Sequence, residues 1–514
     1  MARSGFVLNV DDRTPPLIVP SGDSLELERF PLGTRVIYPA ESLDAVPDLN
    51  DAVNGALDAP LDSEPLDALL RAGMKLTVAF DDITVPTPAM RRPDVRGAIV
   101  EAVLTRAAQA GVDDVELICG NGLNRRLTAA EFSHILGERV FRSFYADERL
   151  RNHDAEDGEG LTTLGTTEPG AVEINTRAAS SDLVIYVHLV TTPQAGGARS
   201  LALGLGGAAT IGQINGLAAI SGDGSGPEAV ANVITSVLPI FQIDAVLDNH
   251  IFPPALEFLG KREWEWRLKD QARLHAVRRA LAAMPRRLRQ RMVNAAQADF
   301  HTTSISAGSP DAVAAASREQ ILAQQLVEVP NQADVGVIGV PQRNPYSADS
   351  MTNPILSAWL GLRAFFGAHT GQPFVREGGA LVLYSPMTVE FSPLHHPSYV
   401  DFFADVLTST TDPVQIASDF ETKYATDPWY AHLYRTSHAF HGVHPCYLWY
   451  QIAEARRHLS EVVWVGAERS TVDRLGFRAA STLADALEIV AASVGRTPAI
   501  SYLHAPPQIV VDVR

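Results

Sequence analysis

The 514-residue chain is 46% hydrophobic and 20% charged, a globular composition long enough for roughly two or three domains. Its formal net charge of -18 argues against nucleic acid and anionic membrane as partners, because both are bound through clustered Lys and Arg, and leaves small-molecule chemistry. Two cysteines, no apolar signal segment after Met-Ala-Arg-Ser-Gly and no run near the ~18 apolar residues of a membrane span fit a cytoplasmic protein, with self-association left open.

Short apolar runs alternate with longer amphipathic stretches, as in a mostly parallel sheet fed by crossover helices. The runs predict strands over Leu76 to Phe80, Val115 to Cys119, Leu183 to Val190, Val335 to Val340, Ala380 to Tyr384 and Val462 to Val465. Helical spacing of apolar residues marks Arg96 to Ala110 and Leu483 to Val494. Three strands fall in each half, so the expected fold is two α/β lobes with an interlobe cleft. The divider is an Arg-rich helical connector, whose interleaved Glu, Asp and Leu read as a solvated helix face rather than a nucleic-acid patch. The expected domains are therefore 1–254, a connector over 255–300, and 301–514.

Three segments of the first lobe carry polar chemistry. In "AFDDITVPTP", Ala79 to Pro88, an acidic pair ends a strand and Thr84 precedes a Pro-x-Pro that cannot continue the sheet. This sets Asp82 and Thr84 at the carboxyl edge, where open α/β sheets bind ligands, although an Asp there can also serve only as a helix cap. In "ICGNGLNRRLTAAEF", Ile118 to Phe132, a glycine turn and Arg125 precede Thr128 and Glu131 at capping-box spacing. Amides at that helix start, with Arg125, suit a carboxylate or phosphate. The glycine-rich "PQAGGARSLALGLGGAATIGQIN", Pro193 to Asn215, follows a strand but matches neither the Walker nor the dinucleotide pattern.

In this order the segments resemble the nickel-pincer lactate racemase family, whose members racemise or epimerise 2-hydroxy acids. The resemblance covers about residues 20 to 250. It rests on "DDIT" at Asp81 to Thr84, "GLNR" at Gly122 to Arg125, "NHD" at Asn152 to Asp154, "LGTT" at Leu164 to Thr167, and "GGAR" with "LGLGGAATI" at Gly196 to Ile211. A looser match in the second lobe includes "GGALVLYSP", Gly378 to Pro386, and the region of Asn353, where the family carries a substrate-contacting Gln and Lys.

The resemblance implies hydride chemistry at a nickel ion held by a pincer nucleotide tethered to a lysine. Here the tethering position is Arg199, and no lysine occurs between Lys75 and Lys261 to take its place. A guanidinium stays protonated where tethering needs a nucleophilic amine. Four further positions depart: Val85 replaces an arginine, Asn124 a histidine, Thr192 a catalytic histidine and Asn215 the nickel histidine. The glycine and Asp framework persists, so the expectation is a retained pocket without the tethered pincer. Arg125, Arg199, Thr84, Asn124, Thr192, Asn215 and Asn353 are the expected anion contacts.

Protonatable groups left for catalysis are Asp82, His188 and the histidines of "YRTSHAFHGVHPCYLWY", Tyr434 to Tyr450. His438, His441 and His444 recur every three residues, so a helix through them could offer two imidazoles to one metal, although Gly442 and Pro445 argue against a continuous helix. Without a metal, the stretch reads as an aromatic and histidine wall of the cleft. His188, ending an apolar strand, is either a proton carrier or a hydrogen-bonded structural group. The expected function is isomerase chemistry on a small hydroxylated carboxylate, with His438 or His441 acting beside Asp82. The alternatives are a non-catalytic small-anion binder and a metal-dependent hydrolase or lyase centred on His438.

Overall fold

The computed structural model describes residues 6–194, 196–222, 225–347, 353–367 and 372–514. All six expected strands form, as Lys75–Asp81, Asp114–Gly120, Leu183–Val190, Ala333–Pro341, Val375–Tyr384 and Glu461–Val465. Leu183–Val190 is buried at every position, as a parallel strand covered on both faces must be. Both expected helices form as well, Val95–Gln109 with Asp94 as its N-cap and Leu483–Val494 with Thr482.

The first sheet runs Thr302–Gly308, Ile240–Leu247, Leu183–Val190, Lys75–Asp81, Asp114–Gly120, Leu150–Asn152. It is parallel except for its edge strand Thr302–Gly308. From Lys75–Asp81 the chain winds outward to Leu150–Asn152, then returns to the opposite side at Leu183–Val190. The strand order therefore reverses between the ends of those two central strands, and a doubly wound sheet opens its ligand crevice at such a reversal.

The second sheet repeats the device. Ala333–Pro341 leads outward through Val375–Tyr384, Glu461–Val465 and Arg478–Ala480, and the order reverses at Ile500–Leu503. Each sheet is sealed by aliphatic and aromatic residues, in separate cores for the two faces of the first and one large core for the second. The molecule is thus α/β with two mostly parallel sheets.

Sheet membership corrects the expected boundaries at 254 and 301. Arg35–Ile37 pairs with Ile500–Leu503, and Val7–Asn9 with Arg35–Ile37, so the N-terminal strands belong to the second lobe. Thr302–Gly308 pairs with Ile240–Leu247 and belongs to the first. The two N-terminal strands, three residues each, give little periodicity, and Ile500–Leu503, hundreds of residues away, decides their place. The connector is helical over Leu268–Ala283 and Arg286–Ala295. It docks on the second lobe through Phe258 and Leu274 against Ile18, and through buried Glu263, which accepts hydrogen bonds from the Ile18 amide and the Tyr38 hydroxyl. Cys119 and Cys446 are buried free thiols. Among the described residues no helix is long and apolar enough to cross a membrane.

Candidate functional site

At the reversal of the first sheet the acidic pair splits. Asp81 turns toward the neighbouring strand, where its Oδ2 meets His188 Nδ1 at 2.7 Å and accepts the Leu189 amide at 2.7 Å, while Tyr186 donates to Oδ1 at 2.9 Å. Burial pushes the Asp81 carboxyl up, but the charge and hydrogen bond of His188 outweigh it and hold Asp81 below its ordinary value. Burial likewise lowers His188, and Asp81 overrides it, raising the imidazole to about 9. At neutral pH this is a buried ion pair.

Asp82 faces the other way. Its carboxylate accepts the Thr84 amide and hydroxyl and, at 2.9 Å, the Asn124 side-chain amide. Those bonds lower its pKa less than burial raises it, so Asp82 titrates above an ordinary aspartate. The turn is pinned from behind by Arg96, whose Nη1 donates to the carbonyls of Asp81, Asp82 and Val85 while Asp94 pairs with the guanidinium. Sequence reasoning missed Arg96. Its signal is the spacing of Asp94, a helix cap, from an arginine two residues on.

Asn124 lies on a turn that needs Gly122, at φ 47°, because a Cβ there would overlap the Leu203 carbonyl. The second lobe grips this turn. Tyr434 donates to the Gly122 carbonyl at 2.6 Å, the His441 amide to Leu123, and His438 Nδ1 bonds the Arg126 carbonyl at 2.9 Å.

The Tyr434 to Tyr450 stretch is therefore the joint between lobes, and the metal reading of it requires correction. His441 Nε2 pairs with Glu156 at 2.8 Å and His444 Nδ1 with the Tyr399 hydroxyl, so the three imidazoles serve separate partners. Gly442 and Pro445 interrupt the spacing as the sequence warned, the helix beginning only at His444. Burial drives His444 down to about 3, leaving it neutral. His438 and His441 are held by the joint and have no bond to Asp82.

The second-lobe group that Asp82 does influence is Tyr346, which sequence reasoning also missed. It follows the Ala333–Pro341 strand at that sheet's carboxyl edge, the position that ought to have drawn notice. Burial and then the negative charge of Asp82 push its phenol up to about 12, and Arg363 opposes them. Burial lowers Arg363, its partner Glu454 raises it, and the charge of Arg199 lowers it further.

Arg199 sits in the first turn of Gly197–Leu205 and makes no hydrogen bond or ion pair among the described residues. Its surface remains accessible to water, yet surrounding protein lowers its pKa. A charge lining an open cleft has both properties. Arg125 is different: Glu131 of the capping box takes both its terminal nitrogens, so its expected anion clamp is occupied from within the chain. Gly196 and Gly197 have positive φ and back onto Ala314, so close helix packing already accounts for them. Thr192 and Asn215 are half-buried, with no side-chain hydrogen bond among the described residues. Asn353 caps the helix Pro354–Trp359, its Oδ1 accepting the Ile355 and Leu356 amides, while its Nδ2 is buried without a partner among the described residues.

The family described as lactate racemase N-terminal domain matches residues 26–224. That match covers less than half of the chain. The structure of the lactate racemase apoprotein from Thermoanaerobacterium thermosaccharolyticum is similar over 97% of this chain and 100% of that one, at 16% identity and TM-score 0.63. A Thermotoga maritima protein aligns over 91% of this chain and 97% of its own at 10% identity and TM-score 0.49. No curated protein sequence matches. In this chain the positions that the resemblance gives to the pincer nucleotide carry a guanidinium at Arg199, a hydroxyl at Thr192 and amides at Asn124 and Asn215. The one imidazole close by, His188, is held protonated by Asp81 and so lacks the free lone pair that a nickel ligand needs. These residues do not fit a tethered nickel pincer.

Proposed function

We propose that this lactate racemase-like protein binds a small hydroxylated carboxylate in the interlobe cleft and moves a proton at its hydroxyl-bearing carbon, without a tethered pincer. The observation that carries the reading is Asp82, a buried carboxylate raised above its ordinary pKa and oriented by Thr84 and Asn124. A base works best when its pKa approaches the operating pH, and burial moves Asp82 that way.

Arg199 takes the substrate carboxylate; Arg363 nearby is already paired with Glu454. Asp82 removes the proton from the carbon that bears the hydroxyl. The electron pair moves into the carboxylate as an enediolate, whose charge Arg199 stabilises. Proton return from the Tyr346 hydroxyl on the opposite face inverts the centre; the tyrosinate regains a proton from water, and Asp82 releases to water the one it took.

The test is proton NMR of a panel of 2-hydroxy acids incubated with the protein in deuterated water. The expected result is loss of the C2 proton signal for at least one acid, abolished in Asp82→Asn. Exchange that survives in Asp82→Asn overturns the assignment of the base. Calorimetric binding with no exchange across the panel favours a small-anion binder, a reading supported by the amide and hydroxyl at Asn124 and Thr192, which are poor proton carriers near neutral pH.

A further inference from the structure

A second constellation lies apart from the Asp82 cleft, at the end of the next strand of the first sheet. Asp248 follows Ile240–Leu247, and His301 precedes the antiparallel partner Thr302–Gly308. The Asp248 amide donates to the His301 carbonyl at 3.0 Å, which fixes the two residues side by side. The His250 amide donates to Asp248 Oδ1 at 3.1 Å, and this tight turn brings the His250 ring back over the same carboxylate. Asp248 Oδ2 then faces two imidazole nitrogens, His250 Nδ1 in very close contact and His301 Nδ1 at 3.0 Å.

We propose that Asp248, His250 and His301 form a binding site for a divalent transition-metal ion of the zinc class, with water in its remaining positions. Two imidazoles and one carboxylate make a donor set common to zinc and iron(II). One donor atom from each residue lies within 4.8 Å of the other two. Ligands about 2.1 Å from a tetrahedral zinc stand about 3.4 Å apart, so a small rotation of the half-exposed His301 ring, now 3.0 Å from Asp248 Oδ2, reaches that spacing.

The surroundings are those of an accessible site rather than a sealed structural one. The Asp248 side chain is 3% exposed, whereas those of His250 and His301 are 47% and 51% exposed. The triad lines a cavity of about 570 Å³ whose wall includes Tyr38, Phe252, Glu257, Lys261 and Arg262. A metal held against one wall would keep open positions toward that space, and Lys261 and Arg262 would favour small anionic oxygen ligands there. Asp82, Tyr346 and Arg199 do not line this cavity, so the site stands or falls independently of the proposed function.

The test begins with full-length protein stripped by chelator and dialysed. Zinc is titrated by calorimetry and cobalt(II) by visible absorption. The parent should take up roughly one equivalent of zinc, give the cobalt spectrum of a nitrogen and oxygen site, and melt at higher temperature with zinc present. His250→Ala and His301→Ala should each weaken zinc binding by at least about tenfold. Both rings are half exposed, so the variants should fold, and their melting without metal checks this. His432→Gln, on the exposed face of another helix, should bind as the parent does. No saturable uptake by the parent, or uptake undiminished in the His250→Ala, His301→Ala double variant, overturns the proposal.

Discussion

Asp81 and Asp82 are adjacent in sequence, and both are buried, yet the fold gives them opposite chemistry. Asp81 has a cationic partner and two further donors, and it remains ionised. Asp82 has only neutral donors and is pushed toward protonation. The difference follows from the end of the strand: Asp81 is its last residue and points at the neighbouring strand, whereas Asp82 begins the turn and points at Thr84 and Asn124. Burial alone therefore does not mark a reactive carboxylate; what matters is whether a compensating charge is buried with it.

The most severe way to break this contrast is Asp81→Asn, which strands a buried His188. Losing one member of a buried pair costs about 3–5 kcal/mol, to be read from denaturant unfolding. The pH dependence has a defined sign. His188, raised from 6.5 to about 9, contributes stability that is complete below pH 6.5 and lost as pH climbs through about 9. Asp81, lowered from 3.8, contributes above pH 3.8 and loses its contribution as acid protonates it. The gap between parent and variant should therefore be widest between those two ordinary values and close toward pH 9.

Asp82→Asn should do the reverse, leaving the stability within about 1 kcal/mol, because no buried partner charge is orphaned. Turnover should fall on the order of a hundredfold or more. In the parent, the acid limb of kcat/KM should lie above the ordinary aspartate range, as the raised pKa requires.

Arg199→Ala tests the other end of the ligand. A charge-assisted bond lost in a partly hydrated cleft should weaken binding of a 2-hydroxy acid about tenfold, with melting unchanged. Equal affinity in calorimetry would remove Arg199 from the site.

The smallest effect is expected at the joint. His438→Gln and His441→Gln can retain hydrogen bonds to the Arg126 carbonyl and Glu156, so turnover should change by less than about threefold. A hundredfold loss with folding intact would return these imidazoles to the chemistry.

The sequence foretold the parallel strands because each is a continuous apolar run, and it placed Asp82, Thr84 and Asn124 because a strand end and a turn are local events. Val7–Asn9 and Arg35–Ile37 escaped notice because three residues carry no period, and their pairing depends on Ile500–Leu503. Tyr346 and Arg96 escaped because their roles arise from contacts across space. The histidine cluster misled for the opposite reason: a dense run of imidazoles suggests metal, and only the fold shows three different partners.

The pairing of Arg35–Ile37 with Ile500–Leu503 also bears on how the chain is made. During synthesis the pair of strands Val7–Asn9 and Arg35–Ile37 cannot join the second sheet through Ile500–Leu503 until that strand has left the ribosome. The first sheet, from Lys75–Asp81 to Thr302–Gly308, has all its strands in hand long before. Chains extend at roughly 5–20 residues per second, so one lobe's sheet can be complete tens of seconds before the other can close. The wall carrying Tyr346 is therefore finished later, and Asp82 waits on a half-built site until Ile500–Leu503 arrives.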